Sequence, residues 1–320
     1  MKVRPISQDE LEPFVNTGKA NREVLQKHVL RAWSEGTSRP EWCFAAEAEN
    51  SFTGGIAYET DNKTGNLAIF HLDTVDELDD LTIKRALIRH SLQELRREQT
   101  QVIQYRLSTD PTPEGLAVSR PLIDVVKELG FECMRERIEF ERPGNSPSVA
   151  ATNRLVFRTR EEVSELTFSR SFALSFQDSL DSEILKGYAK LGPQRVISQY
   201  LSACPKEDER NVWFSELAYD TQNDLVGVIM LLLSQKRKNP RKGHSIGCIY
   251  TLGVVPKKRG QGYVNDLLAR GTQILEYEGA DCIRSTTAAT NFPMVNAFER
   301  AHYKQTEHWW GFEIHLNSKT

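Results

Sequence analysis

One stretch, YTLGVVPKKRGQGYVNDLL at residues 250–268, restricts the fold more than any other. An apolar run ends at Val255, Pro256 stops it, and Lys257, Lys258 and Arg259 precede Gly260-Gln261-Gly262. Val264, Leu267 and Leu268 then fall on one face of a helical pattern, so the stretch reads as strand, glycine loop and helix. Glycines open backbone conformations closed to other residues and let several N–H groups converge on one anion. The positive end of the helix dipole and the three cations favour negative charge at the same spot. A pyrophosphate suits that environment.

The loop departs from two common nucleotide patterns. A Walker loop requires Gly-Lys-Ser/Thr at its end, and the dinucleotide fingerprint requires a third glycine where Asn265 stands. The run Arg259-Gly260-Gln261-Gly262-Tyr263-Val264 instead resembles the acyl-CoA loop of the GNAT acetyltransferase superfamily, Arg/Gln-x-x-Gly-x-Gly/Ala, with Val264 replacing the final Gly/Ala. The resemblance implies acetyl-CoA as acyl donor and no metal. It assigns the donor site to residues 259–264 and to Val254 and Val255 on the preceding strand. It also implies that Asn291 grips the pantetheine arm, with Phe298 seven residues on where the family carries a tyrosine that protonates the leaving thiolate. The Gly-Phe turn of the family pattern is His302-Tyr303 here.

Elements follow one order twice along the chain. In the first half, a strand at 3–6 and a helix at 20–33 precede strand-like runs at 42–46, 54–58 and 67–72. Turn residues such as Asp61-Asn62 and Gly65 part them, the pattern of an antiparallel meander. A helix at 81–98, a strand at 102–107, a helix at 121–129 and a strand at 132–140 follow. In the second half come a strand at 155–157, a largely helical region at 181–200, and strands at 212–219, 225–233 and 246–254. After the loop stand a helix at 263–277, a strand at 282–287, a helix at 293–300 and strands at 303–310 and 312–316. The pattern predicts an α/β fold (α+β, with mixed sheets) repeated in tandem, and the resemblance implies two tandem GNAT-like domains, each a mostly antiparallel mixed sheet flanked by helices. The expected boundaries are 1–142, a Pro/Gly/Ser linker at 143–152, and 153–320. Where the second half carries its loop, the first carries Asp73-Thr74-Val75-Asp76-Glu77-Leu78-Asp79-Asp80. Five carboxylates without a glycine repel a diphosphate, so the first domain is expected not to bind CoA. Lys127-Glu128-Leu129-Gly130-Phe131 retains the helix-to-strand turn of the superfamily and marks the first domain as a degenerate copy.

Charge and cysteine content narrow the classes further. A net charge of −3 offers no general attraction for nucleic acid. The longest apolar run, 225–233, suits a buried strand rather than a membrane span, and the polar sequence after Met1-Lys2-Val3-Arg4-Pro5 is not the pattern expected of a signal peptide. Cys43, Cys133, Cys204, Cys248 and Cys282 are odd in number and widely spaced, as expected of reduced thiols in a cytoplasmic protein without a metal site. The basic run 236–242 reads as a solvated hairpin loop.

Acyl transfer to an amine requires a neutral amine, a polarised thioester carbonyl and a proton for the departing sulfur. A backbone N–H near Val254 is the expected polarising group. Glu216, a lone carboxylate in the apolar strand 212–219, is the first candidate base, since burial would favour its protonated form; strand alternation alone places it outward. Tyr250 and Tyr303 are the hydroxyl candidates, with His244 and His302 behind them. The acceptor is expected to be a small-molecule or peptide amine, bound in a cleft between the repeats. A chain of this type that binds acyl-CoA without catalysis is the alternative, motivated by Phe298 and Val264.

Overall fold

The computed structural model describes residues 1–61, 64–75, 80–97, 101–144, 146–149, 153–203, 211–234 and 245–316. The basic run 236–242, His244 and Cys204 lie outside these residues. The chain forms two compact units, Met1–Met134 with Trp309–Thr320, and Arg135–His308.

In the first unit β1 (Lys2–Pro5) leads through α1 (Leu11–Val15) and α2 (Arg22–Ser34) to β2 (Cys43–Ala48), β3 (Ser51–Thr60) and β4 (Leu67–Thr74). Then follow α3 (Asp80–Arg97), β5 (Val102–Thr109) and α4 (Pro113–Glu128). β1 to β4 pair antiparallel in order, and β5 joins β4 in parallel. α4 starts well before the expected residue 121. Thr112 caps it by accepting from the Gly115 N–H, and Pro113 sits in the first turn, where no N–H is missed.

The second unit takes up the chain within β6 (Glu132–Pro143) and continues with β7 (Val156–Thr159), α5 (Glu165–Ser175), α6 (Ser182–Leu191), α7 (Pro193–Ala203) and β8 (Asn211–Tyr219). It is completed by β9 (Leu225–Ser234), β10 (Ile246–Val254), α8 (Tyr263–Tyr277), β11 (Cys282–Ala288), α9 (Phe292–Arg300) and the start of β12 (Lys304–His315). β7 to β10 pair antiparallel in order, β11 joins β10 in parallel, and Arg137 to Pro143 of β6 lie antiparallel along β11. The helical region expected at 181–200 is two helices, parted at Gly192 with φ +77. α5 lies outside every helix expected from the pattern, and β12 is one strand where two were expected.

The unit boundaries differ from those expected at 142 and 153, for a physical reason. β6 is an integral strand of the second unit, and Arg142 at its end is fully buried there, donating to Glu276 at 2.8 Å and to the Pro147 carbonyl at 2.7 Å. A buried, ion-paired arginine belongs to the core of the second unit rather than to the end of the first. The last residues of the chain, in turn, complete the first unit: Gln104 donates to Glu313 at 2.8 Å, and Leu316 N–H donates to the Gln101 carbonyl at 2.9 Å.

Both units share one local irregularity. The fourth strand slips register by one residue, at Phe70 between Ile69 and His71 in β4 and at Tyr250 between Ile249 and Thr251 in β10. The parallel neighbour pairs only with the residues before the slip, Leu67–Ile69 in one unit and Ile246–Cys248 in the other. Beyond the strand, Val75 N–H donates to Thr53 and Val255 N–H to Val226, at 3.0 and 2.9 Å. Two units with the same bulge and the same parting of strands are copies of one plan. Their helix starts differ: Asp80 opens α3, accepting from the Thr74 hydroxyl and pairing with Lys84, so its own carboxylate meets the helix dipole. Residues 76–79 of the acidic run lie outside the described residues.

In the second unit helices cover both faces of the sheet. Leu231, Ile249, Leu268, Leu275, Val295 and Phe298 form one core with α8 and α9, while Phe168, Phe172, Ile197, Leu217, Val228 and Met230 form the other with α5 and α7. Among the described residues no helix is long and apolar enough to cross a membrane.

Candidate functional site

The bulge at Tyr250 is the origin of the site. An extra residue in one strand turns two successive side chains to the same face. Tyr250 and Thr251 accordingly both meet α7: the Tyr200 ring lies 5.8 Å from that of Tyr250, and the Tyr200 hydroxyl bonds Thr251 Oγ1. Past Cys248 the ladder with β11 ends, while β11 keeps pairing with β6 as far as Ala288. A gap therefore opens between β10 and β11. Because Val255 N–H points at β9, alternation turns the N–H groups of Leu252 and Val254 away from β9 and toward that gap. The gap widens into a cavity of about 910 Å³, lined by residues of the second unit.

The glycine loop forms one end of this cavity. Gly260 and Gly262 have φ of +75 and +79, where any other residue would be strained by about 1–2 kcal/mol. This path leaves the N–H groups of Gly260, Gln261, Gly262, Tyr263 and Val264 without a protein acceptor among the described residues, whereas Asn265 N–H bonds the Gly262 carbonyl at 2.9 Å. Five unpaired N–H groups at the start of a fifteen-residue helix make an anion cradle.

The loop cations behave differently from the expectation that all three face an anion. Lys258 pairs with Asp220 at 2.6 Å and Asp224 at 3.0 Å, and the hydrogen bond to Asp220 pushes its ammonium up to about 12. Arg259 spends its donors on backbone carbonyls, those of Val254 (2.9 Å), Asp178 (2.8 Å), Gln177 (2.5 Å) and Ser175 (3.2 Å). It ties the loop to the end of α5. Lys257 is exposed and does not line the cavity. A cation outside the loop takes a place there instead: Arg300, at the end of α9, donates to Asn265 Oδ1 at 2.9 Å, and Asn265 donates to the Gly262 carbonyl at 3.1 Å. Arg154 braces the loop from the other side, donating to the Gln261 carbonyl at 3.1 Å and lying 4.7 Å from the Tyr263 ring centre.

Of the residues expected from sequence to bind the donor, Val254, Arg259, Gly260, Gly262, Tyr263, Val264, Asn291 and Phe298 line the cavity. Val255 is buried behind it, and Gln261 contributes backbone only: its carbonyl accepts from Arg154, and its side chain turns back to the Lys257 carbonyl at 3.4 Å. Asn291 precedes α9 without a side-chain capping bond, which leaves its amide for the cavity. Phe298 stacks on Phe140 at 4.7 Å and forms an apolar wall.

Two of the three residues expected to carry protons stand elsewhere. Glu216 is not a lone carboxylate: it is buried and held by Arg270 of α8 through two bonds of 2.9 and 2.7 Å, away from the cavity lining. Tyr303 is buried in the α9 core with its hydroxyl on Thr272 at 2.7 Å, and burial raises it above the ordinary tyrosine range. Tyr250 lines the cavity. Tyr200, which no sequence pattern marked, brings a second hydroxyl there because α7 packs over the bulge. Burial pushes the Cys43 and Cys248 thiols up to about 12 and about 11, so neither offers a thiolate near neutrality.

A gap between a bulged strand and its parting neighbour, ending on an amide cradle, is a shape and a donor set that can admit an extended ligand with an anionic end. Residues 178–303 match the family model of the acetyltransferase (GNAT) family. Among solved structures, a GCN5-related N-acetyltransferase from Sphaerobacter thermophilus is 13% identical with a TM-score of 0.54, covering 100% of this chain and 96% of that one; it shares the fold. A tandem GNAT protein from the clavulanic acid biosynthesis pathway is 12% identical with a TM-score of 0.46, covering 100% and 99%. No curated protein matches the chain.

Proposed function

We propose that the second unit transfers an acetyl group from acetyl-CoA to a primary amine of a small molecule or peptide by direct attack. The five unpaired N–H groups of residues 260–264 carry this reading, because a diphosphate is the ligand that such a cradle satisfies. The match of residues 178–303 to the GNAT family model supports the donor, which when bound supplies a thioester-activated acetyl group. Arg300 adds positive charge beside the cradle, and Asn291 presents its amide to the pantetheine arm. The N–H groups of Leu252 and Val254 sit in the gap where a thioester carbonyl is polarised. Tyr250 is the residue assigned to proton transfer, with Tyr200 beside it, since Phe298 has no proton to give and Glu216 and Tyr303 stand outside the cavity.

That last observation also favours a second reading, an acyl-CoA-binding protein without catalysis. Calorimetry with acetyl-CoA tests the cradle: no heat at millimolar concentration ends both readings. Release of free CoA thiol on adding amines separates them, since only the enzyme produces it. Tyr250→Phe and Tyr200→Phe variants then locate the proton donor by their pH–rate profiles.

A further inference from the structure

An apolar wall of the cavity begins beside the N–H groups that would polarise a thioester. We propose that this wall, built by α5, α6 and α7, receives the donor's acyl group. The site then takes thioesters with an apolar chain of medium length, such as hexanoyl-CoA, more tightly than acetyl-CoA. The proposal rests on the acyl-CoA reading above and extends it to the length of the acyl group.

Position is the first observation. Leu252 and Val254, whose N–H groups face the gap, flank Gly253, and the Phe176 ring packs directly over that glycine: a Cβ there would meet Phe176 Cε2 and Cζ at 3.0 Å. Rings continue from this point, with Phe172 5.0 Å from Phe176 and Tyr200 5.8 Å from Phe172, centre to centre. Ile184 of α6 and Val196 and Ile197 of α7 complete the apolar lining from these helices. The second observation is where the polar groups among them turn. Ser175 Oγ donates to the Ser171 carbonyl at 2.8 Å, the Tyr200 hydroxyl bonds Thr251 Oγ1, and Arg137 pairs with Asp181 at 2.9 Å. With these groups engaged inside the protein, the rings offer a ligand apolar surface. A charged body laid on them would give up water without gaining a partner, whereas a saturated chain gains by burial. Room is the third. The cavity of about 910 Å³ is near the upper end of the roughly 300–1,000 Å³ found for small-molecule sites, and an acetyl group at Gly253 would leave Phe172 and Ile197 uncovered. In the transfer, the amine nitrogen bonds the acyl carbon and the carbon–sulfur bond breaks. One proton leaves nitrogen and sulfur departs as the thiol, whatever the chain length.

Calorimetry of the full chain against free CoA and against acetyl-, butyryl-, hexanoyl- and octanoyl-CoA tests this. Each methylene that the wall buries should tighten binding roughly fourfold, the equivalent of about 0.8 kcal/mol, on passing from acetyl- to hexanoyl-CoA. Ile184→Asp, and separately the milder Val196→Ser, should flatten the series while free CoA binds as it does to the wild type, which also shows that each variant is folded. A gain with chain length that neither substitution diminishes would place the chain on some other surface and overturn the proposal. Affinity that stays level or falls from acetyl- to octanoyl-CoA, with free CoA still bound, overturns it too and leaves the acyl-CoA reading standing. If neither free CoA nor any thioester gives heat, that reading fails and takes this proposal with it, so the free CoA measurement tells the two failures apart.

Discussion

Glu216 and Arg270 form a pair whose two halves differ in exposure, and that asymmetry sets a quantitative expectation. The Glu216 side chain is 8% exposed and the Arg270 side chain 40%. Replacing Arg270 with Ala strands a buried carboxylate, which costs about 3–5 kcal/mol. It also removes a guanidinium lying 5.1 Å from the Phe157 ring centre, a contact worth roughly 0.5–1 kcal/mol. Replacing Glu216 with Gln keeps one acceptor for Arg270, whose remaining donors reach water, so about 1–2 kcal/mol is expected. The pH dependence has a definite sign. A stranded carboxylate binds its proton in the folded state at higher pH than in the unfolded chain, so the native state holds more protons and the Arg270→Ala deficit shrinks as pH falls from 7 to 5. Urea unfolding of both variants and the wild type at the two pH values reads these differences. Equal losses for the two variants, or an Arg270→Ala deficit indifferent to pH, would refute the argument. The same Glu216→Gln protein should keep the wild-type pH–rate profile for thiol release; a lost acid-side limb would return Glu216 to the mechanism as a base.

Other expectations follow from single contacts. Arg259→Ala removes four hydrogen bonds to carbonyls, three of them exposed, so a loss of about 2–4 kcal/mol in urea unfolding is expected, whereas a direct phosphate ligand would lower acetyl-CoA affinity with no such loss. Gly262→Ala meets no atom nearer than 3.7 Å, so its cost of about 1–2 kcal/mol is backbone strain alone; weaker acetyl-CoA binding at that modest cost, seen by calorimetry, would mark the amide cradle as the donor site. His71 is buried with Nε2 unpartnered, and burial holds its imidazole down at about 4. Its unfolded form takes a proton near pH 6.5, so the unfolded state binds more protons between those values. Stability is full above about 6.5 and falls by roughly 3 kcal/mol as pH drops toward 4, and His71→Leu should flatten that slope in acid titrations followed by circular dichroism.

Local patterns carried the element types and the loop. The alternation of 246–254, the stop at Pro256, the glycines at 260 and 262 and the 3.6-residue spacing after Tyr263 all act within a few residues, and the structure forms strand, cradle and helix there. The repeated order of elements likewise announced two copies of one plan. Three things were invisible in the linear chain. The bulge at Tyr250 is a mismatch between two strands, so nothing in β10 alone marks it. α5 shows only a weak overall amphipathic pattern, and its own rings Phe168 and Phe172 gain their stability by packing on Ile197 of α7 and on Leu217, Val228 and Met230 of the sheet. The fate of each charge depends on what lies opposite: Asp220 claims Lys258, carbonyls of the α5 end claim Arg259, and Arg270 claims Glu216, while Arg300 arrives at the cradle from a helix 35 residues beyond Asn265. Backbone conformation is decided by neighbours in sequence and was legible. Charge partnership and strand register are decided by neighbours in space, and only folding brings those together.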